Sequence, residues 1–291
     1  MRIKDVKFQL IKEFKDKKLK KPEFLARVLL EEVLFIATVD QVIGDLEITK
    51  KQLSQLESAK KRMLSGEPLS YIVGRSAFRG FKLLVSKDVL IPRPETEELI
   101  DIVKPYVSNK SICLDIGTGS GAIAIALAKE TICKHIYACD TSKRAINIAL
   151  ENVKLTEMQK KVQLFQTDAR SKSFTTILTE ICREHTSSDL IITANLPYIP
   201  SKDIKKLEKN VQSFEPHLAL DGGQYGTDVI KDVLLRIMEG VRSTRTHIFF
   251  EIESSNVPDL KKFIIEHGLQ LNFQKDLSGK IRFLSGKIIS Q

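Results

Sequence analysis

The chain has no tryptophan, five tyrosines and only 7% aromatic residues. Proteins that hold nucleic acid by stacking interleave aromatic side chains with basic patches, so this shortage counts against that role. The four cysteines, Cys113, Cys133, Cys139 and Cys182, form no Cys-x-x-Cys pair. That spacing excludes a zinc ribbon and a dithiol redox motif, and fits reduced thiols in a cytoplasmic protein. The five histidines are scattered, with no pair at metal-ligand spacing on a helix face. No run of eighteen uncharged apolar residues exists. The best stretch, Val28 to Val39, is broken by Glu31 and Glu32, so no membrane span is expected. The N-terminus lacks the apolar run and small-residue site of a signal peptide.

What is present suits a soluble chain with a buried core: 291 residues, 42% hydrophobic and 29% charged. This length fits one large and one smaller domain. Net charge is +9, and residues 1 to 21 alone carry nine Lys or Arg against Asp5, Glu13 and Asp16. Two readings stand for this basic segment: a solvated helix face, or a surface that steers the protein to an acidic or ribosome-linked partner.

Residues 1 to 75 read as a helical bundle. Phe8, Leu10, Ile11 and Phe14 recur at helical spacing, as do Phe24, Leu25, Val28 and Leu29, followed by Val33, Leu34 and Phe35. A further helix is expected from Thr49 to Leu64, ended by Gly66 and Pro68. Residues 76 to 92 show partial alternation (Phe78, Phe81, Leu83, Val85) around Gly80, which reads as a linking β-hairpin. Arg93-Pro94-Glu95-Thr96-Glu97-Glu98 then has the proline and acids of a helix start. This turn either caps a helix or borders a site.

Residues 93 to 291 form the remaining domain. Seven strands are expected, at 111–116, 135–139, 162–166, 189–194, 246–252, 269–274 and 280–285, with helices at 120–130, 142–155, 226–240 and 256–267. Repeated βα units imply a mostly parallel α/β sheet with helices on both faces. The short Lys275-to-Gly279 link makes the last two strands an antiparallel hairpin.

Leu114-Asp115-Ile116-Gly117-Thr118-Gly119-Ser120-Gly121 closes the first sheet strand and opens a helix. Its glycines permit a tight turn and close approach of a ligand. Gly117, Gly119 and Ala122 also fit a dinucleotide fingerprint, with Asp140 at a suitable distance. Asp115 separates the two readings. A carboxylate there suits the cationic amino-acid end of S-adenosylmethionine and repels a pyrophosphate. Asp140 can accept from both ribose hydroxyls. Asp168 can reach the adenine amino group, with Ala169 beside the ring, or it is a plain loop acid.

The fourth sheet strand runs into Asn195-Leu196-Pro197-Tyr198, and ligands of open α/β sheets bind beyond the strands' carboxyl ends. An amide nitrogen is a poor nucleophile, because its lone pair is delocalised. Acceptors must hold its N–H groups and aim it at the methyl carbon. The Asn195 side-chain oxygen and the Leu196 carbonyl supply two such acceptors, and Tyr198 can stack on a planar amide.

The chain resembles the protein-(glutamine-N5) methyltransferases of peptide-chain release factors over nearly its whole length. The likeness rests on Pro68-Leu69-Ser70-Tyr71-Ile72-Val73-Gly74, Ile91-Pro92-Arg93-Pro94-Glu95-Thr96-Glu97, the glycine turn, Asn195-Leu196-Pro197-Tyr198, and Glu215-Pro216 leading to Leu220-Asp221-Gly222-Gly223. The resemblance implies a Rossmann-like class I methyltransferase fold, S-adenosyl-L-methionine held at Gly117 to Gly121, Asp140, the Asp168–Ala169 region and Asn195, and a substrate loop at Asn195 to Tyr198. It implies a release-factor partner carrying Gly-Gly-Gln, an N-terminal substrate-recognition domain, a cytoplasmic monomer, and nucleic acid met only through the ribosome. Two positions depart from the family pattern. Leu196 stands where the family has the first proline of Asn-Pro-Pro-Tyr, and Glu251-Ile252-Glu253 replaces Glu-x-Gly. Asn-Leu-Pro-Tyr also resembles the loop of ribosomal RNA adenine dimethyltransferases, which keeps an adenine-N6 methyltransferase as the alternative. A non-catalytic scaffold is disfavoured by intact Asn195, Tyr198 and Asp140. The chain's own Gly222-Gly223-Gln224 reads as a turn.

Overall fold

The computed structural model describes residues 1–241 and 245–288. Its contacts divide into two compact units, residues 1–75 with 209–214, and residues 76–208 with 215–291.

The first unit contains α1 (Ile3–Asp16), α2 (Pro22–Glu32), α3 (Thr38–Ile43), α4 (Lys50–Leu64) and α5 (Leu69–Val73). The inward stripe of α1 is Ile3, Val6, Leu10 and Phe14, a spacing of three to four residues that keeps one face inside. Phe8 lies off that stripe and is 69% exposed, and Phe24 and Phe35 also point outward. Of the aromatics counted toward this bundle from the sequence, only Phe14 joins its core. Helix α4 begins with a reciprocal cap in which Thr49 and Gln52 satisfy each other's backbone N–H groups.

The second unit opens with the hairpin β1 (Arg75–Phe78) and β2 (Phe81–Leu84), followed by α6 (Pro94–Val103). Residues 85–93 run without helix or strand, so the hairpin is shorter than expected. Then come β3 (Ser111–Ile116), α7 (Ala122–Glu130), β4 (His135–Asp140), α8 (Lys143–Leu155), β5 (Val162–Gln166), α9 (Lys172–Glu184) and β6 (Asp189–Asn195). The short α10 (Lys209–Phe214), which groups with the first unit, precedes α11 (Asp228–Gly240), β7 (Thr246–Glu251), α12 (Val257–Glu266), β8 (Gln270–Lys275) and β9 (Ile281–Ile288).

The seven sheet strands take the order β5-β4-β3-β6-β7-β9-β8. Pairings are parallel from β5 through β7, and β9 runs antiparallel to both of its neighbours. Every residue of β3 is buried, as a strand covered on both faces requires. One sheet face is covered by α6 and α7 and the other by α9, α11 and α12. Helix α9 escaped the sequence reading. Its buried set Phe174, Leu178, Ile181 and Cys182 has helical spacing, yet the segment is rich in β-branched Thr and Ile, which lower helix propensity. Tertiary burial overrides that preference. All four cysteines are buried, and none of them is in a disulfide. Among the described residues, no helix is long and apolar enough to cross a membrane.

The strand order reverses between β3 and β6. That is the switch point at which open α/β sheets leave a crevice beyond the strand ends.

Candidate functional site

A cavity of about 220 Å³ occupies this crevice, bounded by the β3–α7 turn, the ends of β4 and β6, the 88–96 segment and the 216–221 loop. The β3–α7 turn is tied to the neighbouring strand, since Gly117 N and Thr118 N both donate to the Cys139 carbonyl at 2.9 Å. Gly117 has φ +71°, and a β-carbon there would lie 3.1 Å from Leu196 Cδ2. Backbone conformation and the tight fit of Leu196 therefore both call for glycine.

Asp140 closes the turn on its far side. Its Oδ2 accepts from Gly119 N at 2.9 Å and its Oδ1 from Ser142 N at 2.8 Å. Each oxygen keeps acceptor capacity for a ligand hydroxyl. Burial raises the Asp140 carboxyl above its ordinary value, and these N–H donors oppose the rise. Asp168 and Ala169 are also on the wall. Asp168 is clasped by Arg170, whose backbone N and guanidinium donate at 2.9 to 3.1 Å. Desolvation of Asp168 is outweighed by these bonds and the guanidinium charge, so its carboxyl lies below the ordinary value.

At the end of β6, Asn195 is held from behind. Its Nδ2 donates to Thr96 Oγ1 and to Glu251 Oε2, each at 3.0 Å. The same Glu251 oxygen accepts from Thr96 Oγ1 and from Asn195 Nδ2, so the carboxamide nitrogen is the atom that faces it. The oxygen is left as an acceptor at the cavity wall. Thr96 Oγ1 donates to the same Glu251 oxygen at 2.6 Å, and the Tyr198 hydroxyl donates to the other oxygen at 3.3 Å. Burial raises the Glu251 carboxyl, against the Thr96 bond and the attraction of Arg282. Burial, and then the Glu251 charge, raise the Tyr198 phenol.

The loop after Asn195 is braced along its length. Asn256 Nδ2 donates to the Tyr198 carbonyl at 3.0 Å, and Gly222 N donates to the Ile199 carbonyl at 2.9 Å. Gly222-Gly223-Gln224 is a turn packed on this loop. Gly223 has φ +90°, and β-carbons at 222 and 223 would collide with the Pro197 carbonyl and the Asp228 side chain respectively. Arg93 Nη2 donates to both Glu215 oxygens at 2.6 and 2.7 Å, joining the Ile-Pro-Arg-Pro segment to Glu215-Pro216.

Residues 9–74 match the family model described as the PrmC N-terminal domain, and residues 94–195 match that of ribosomal protein L11 methyltransferase (PrmA). The release factor glutamine methyltransferase of Lactococcus lactis is 33% identical, over 83% of this chain and 85% of its own length. That of Thermodesulfovibrio yellowstonii is 30% identical, over 87% and 88%. The human MTRF1L release factor glutamine methyltransferase is 30% identical, over 81% and 72%. The chain belongs to the release factor glutamine methyltransferase family. The solved hMettl16 catalytic domain shares the fold, with a TM-score of 0.51 and 13% identity over 78% of this chain and 80% of that one.

The family's recognisable residues are not all placed as the sequence suggested. Gly117, Thr118, Gly119, Ser120, Asp140, Asp168, Ala169, Asn195, Leu196 and Pro197 share the cavity wall. Gly121 sits at the start of α7 with φ +83°. Asp115 and Tyr198 depart from expectation. Asp115 is fully buried behind the turn, accepting from Thr118 Oγ1 at 2.7 Å and Thr193 Oγ1 at 3.1 Å. It is absent from the cavity wall because its two oxygens are turned onto the Thr118 and Thr193 hydroxyls, where it braces the turn. Tyr198 packs against the core with its hydroxyl on Glu251, where the sequence reading had its ring stacking on the substrate. Thr96 lies in the 93–98 turn, for which capping and bordering a site both stood open, and Glu251 was noted only as part of a departure from the family pattern; neither was named as a site residue. No local pattern pointed to this pairing: Glu251 ends β7 directly beside Asn195 of β6, a register that only the folded sheet shows.

Proposed function

We propose that this chain methylates the side-chain amide nitrogen (N5) of the glutamine in the Gly-Gly-Gln motif of peptide-chain release factors, using S-adenosyl-L-methionine. Family membership supports the reaction class. The observation that carries the site assignment is the Asn195 carboxamide, fixed from behind so that an acceptor oxygen remains at the wall of the β3–β6 crevice.

The cavity's chemistry fits the cofactor. The Gly117–Ser120 turn supplies close backbone, Asp140 supplies acceptors for ribose hydroxyls, and Asp168–Ala169 forms the wall assigned to adenine. The cofactor brings a methyl group on a sulfonium, a leaving group good enough that the attacking amide needs no strong base. Asn195 Oδ1 and the Leu196 carbonyl accept the two N–H bonds of the substrate amide and hold its nitrogen toward the methyl. Orientation and preorganised dipoles are the catalytic contributions. Pro197 biases Leu196 toward extended backbone, which keeps its carbonyl available although the family's proline is missing. Tyr198 anchors the loop through Glu251. Residues 1–75 serve substrate recognition, 76–92 link, and 93–291 carry the transfer. The protein works as a cytoplasmic monomer on a translation factor.

The test incubates the full chain with labelled S-adenosylmethionine and either a release factor, a release factor with the Gly-Gly-Gln glutamine replaced, or ribosomal RNA. Label is expected on the intact release factor alone. Label on RNA alone overturns the reading in favour of adenine methylation. Asn195→Ala is expected to keep cofactor affinity and lose about 100-fold or more in turnover.

A further inference from the structure

Glu251 lies at the end of a strand, 1% exposed, and three polar side chains from three parts of the chain converge on it. Thr96 comes from the first turn of α6, Asn195 from the end of β6 and Tyr198 from the loop beyond. We propose that Glu251 is the positioning residue of this site: acting with Thr96, it dictates which end of the Asn195 carboxamide faces the substrate. The inference rests on the reading of Asn195 as the substrate-amide acceptor.

The argument is one of hydrogen-bond polarity. A carboxamide is nearly symmetric in shape, and turning it over exchanges an acceptor for two donors. With the nitrogen outward, Asn195 would set N–H against the N–H groups of a substrate amide, and the site would reject what it must hold. The geometry behind it opposes that orientation, because Glu251 Oε2 accepts from the Thr96 hydroxyl and from Asn195 Nδ2 together. Thr96 reinforces the choice. A hydroxyl alone is ambivalent, but here it spends its single proton on Glu251 Oε2 at 2.6 Å. It can then meet Asn195 Nδ2 only as an acceptor, and does so at 3.0 Å. One carboxylate thus sets the direction of both bonds.

The same carboxylate takes the Tyr198 hydroxyl on its other oxygen. Both ends of Asn195-Leu196-Pro197-Tyr198 are therefore tied to one buried side chain. The Leu196 carbonyl lies between those ties. The added backbone freedom of leucine at a proline position is restrained by this double attachment. Register makes the attachment rigid, since Glu251 and Asn195 are Cα partners on adjacent parallel strands.

The test compares Glu251→Leu, Glu251→Gln, Thr96→Val and Asn195→Ala in the full chain, using a release factor and labelled S-adenosylmethionine. It reads kcat, KM for the protein substrate, cofactor affinity by calorimetry, and melting temperature. Glu251→Leu is expected to lower kcat about 100-fold, the scale seen when one preorganised polar group is lost, with cofactor affinity held within about threefold. Glu251→Gln, whose amide oxygen can still accept from Thr96 and Asn195, is expected to restore kcat to within about tenfold of wild type. Unchanged turnover in Glu251→Leu overturns the proposal. So does an equal loss in the Leu and Gln variants, or a loss matched by weakened cofactor binding. If Glu251→Leu does not fold, Thr96→Val decides: it should lower kcat about tenfold at unchanged cofactor affinity, and wild-type turnover overturns the proposal. Asn195→Ala separates the two readings. Its activity surviving removes the Asn195 acceptor role and this inference with it. Its loss beside intact Glu251→Leu and Thr96→Val turnover removes only this inference. A wild-type chain that leaves the release factor unlabelled removes the proposed function itself.

Discussion

Asp115 is a carboxylate with no route to water. Burial drives its carboxyl from 3.8 up to about 7, partly opposed by the hydroxyls of Thr118 and Thr193. The folded-state value exceeds the unfolded one, so between about pH 4 and 7 the native protein holds a proton that the unfolded chain has released. Stability therefore falls as pH rises through that window and levels off above it, by roughly 4 kcal/mol at most. Asp115→Asn removes this dependence. Denaturant titrations of both proteins at pH 5 and pH 8 should show wild type losing more stability than the variant. Parallel slopes would mean that Asp115 is ionised throughout. Asn195 shows the same lesson from the other side. The residue type names the chemistry, but the partners Thr96 and Glu251 decide which atom of the carboxamide is available.

At the scale of elements, the Asn195–Tyr198 loop owes its shape to a second loop. Gly226 has φ +75°, and a β-carbon there would sit 2.3 Å from the Tyr198 carbonyl, whereas Gly268, with φ +61°, has nothing within 4 Å. Gly226→Ala should cost about 2–4 kcal/mol through strain and overpacking and displace the Tyr198 end of the loop. Gly268→Ala should cost only about 1 kcal/mol. Thermal melts and turnover check the pair. Similar stability losses, or full activity in Gly226→Ala, would mean that the turn does not brace the site. The reciprocal Thr49–Gln52 cap of α4 is legible from its spacing alone. Helix α9 is not, because its β-branched residues argue locally against the helix that burial imposes.

For the whole molecule, the cavity proposed to take the cofactor is built wholly from residues of the second unit. S-adenosylmethionine at 100 times its dissociation constant should stabilise that unit by about 2.7 kcal/mol. In calorimetry this raises its transition by roughly 5–10 °C, and an unmoved transition would place the binding site elsewhere. The net charge of +9 favours association with an acidic surface over a basic one. That attraction should weaken with salt, since exposed charges are screened over about 8 Å at physiological ionic strength.

The sequence by itself determined the alternation of strand and helix, the glycine turn after β3, the acid at the end of β4 and the Asn195 loop, because each is a local pattern with a local cause. Family membership was legible there too, in contiguous blocks. Only tertiary structure decided that Asp115 faces inward, that Phe8 faces outward, that Tyr198 serves as an anchor and that Glu251 governs Asn195. Those outcomes depend on which strands become neighbours and in what register. Asn195 and Glu251 are 56 residues apart and meet only because β6 and β7 pair side by side, a relation that spacing along the chain does not encode.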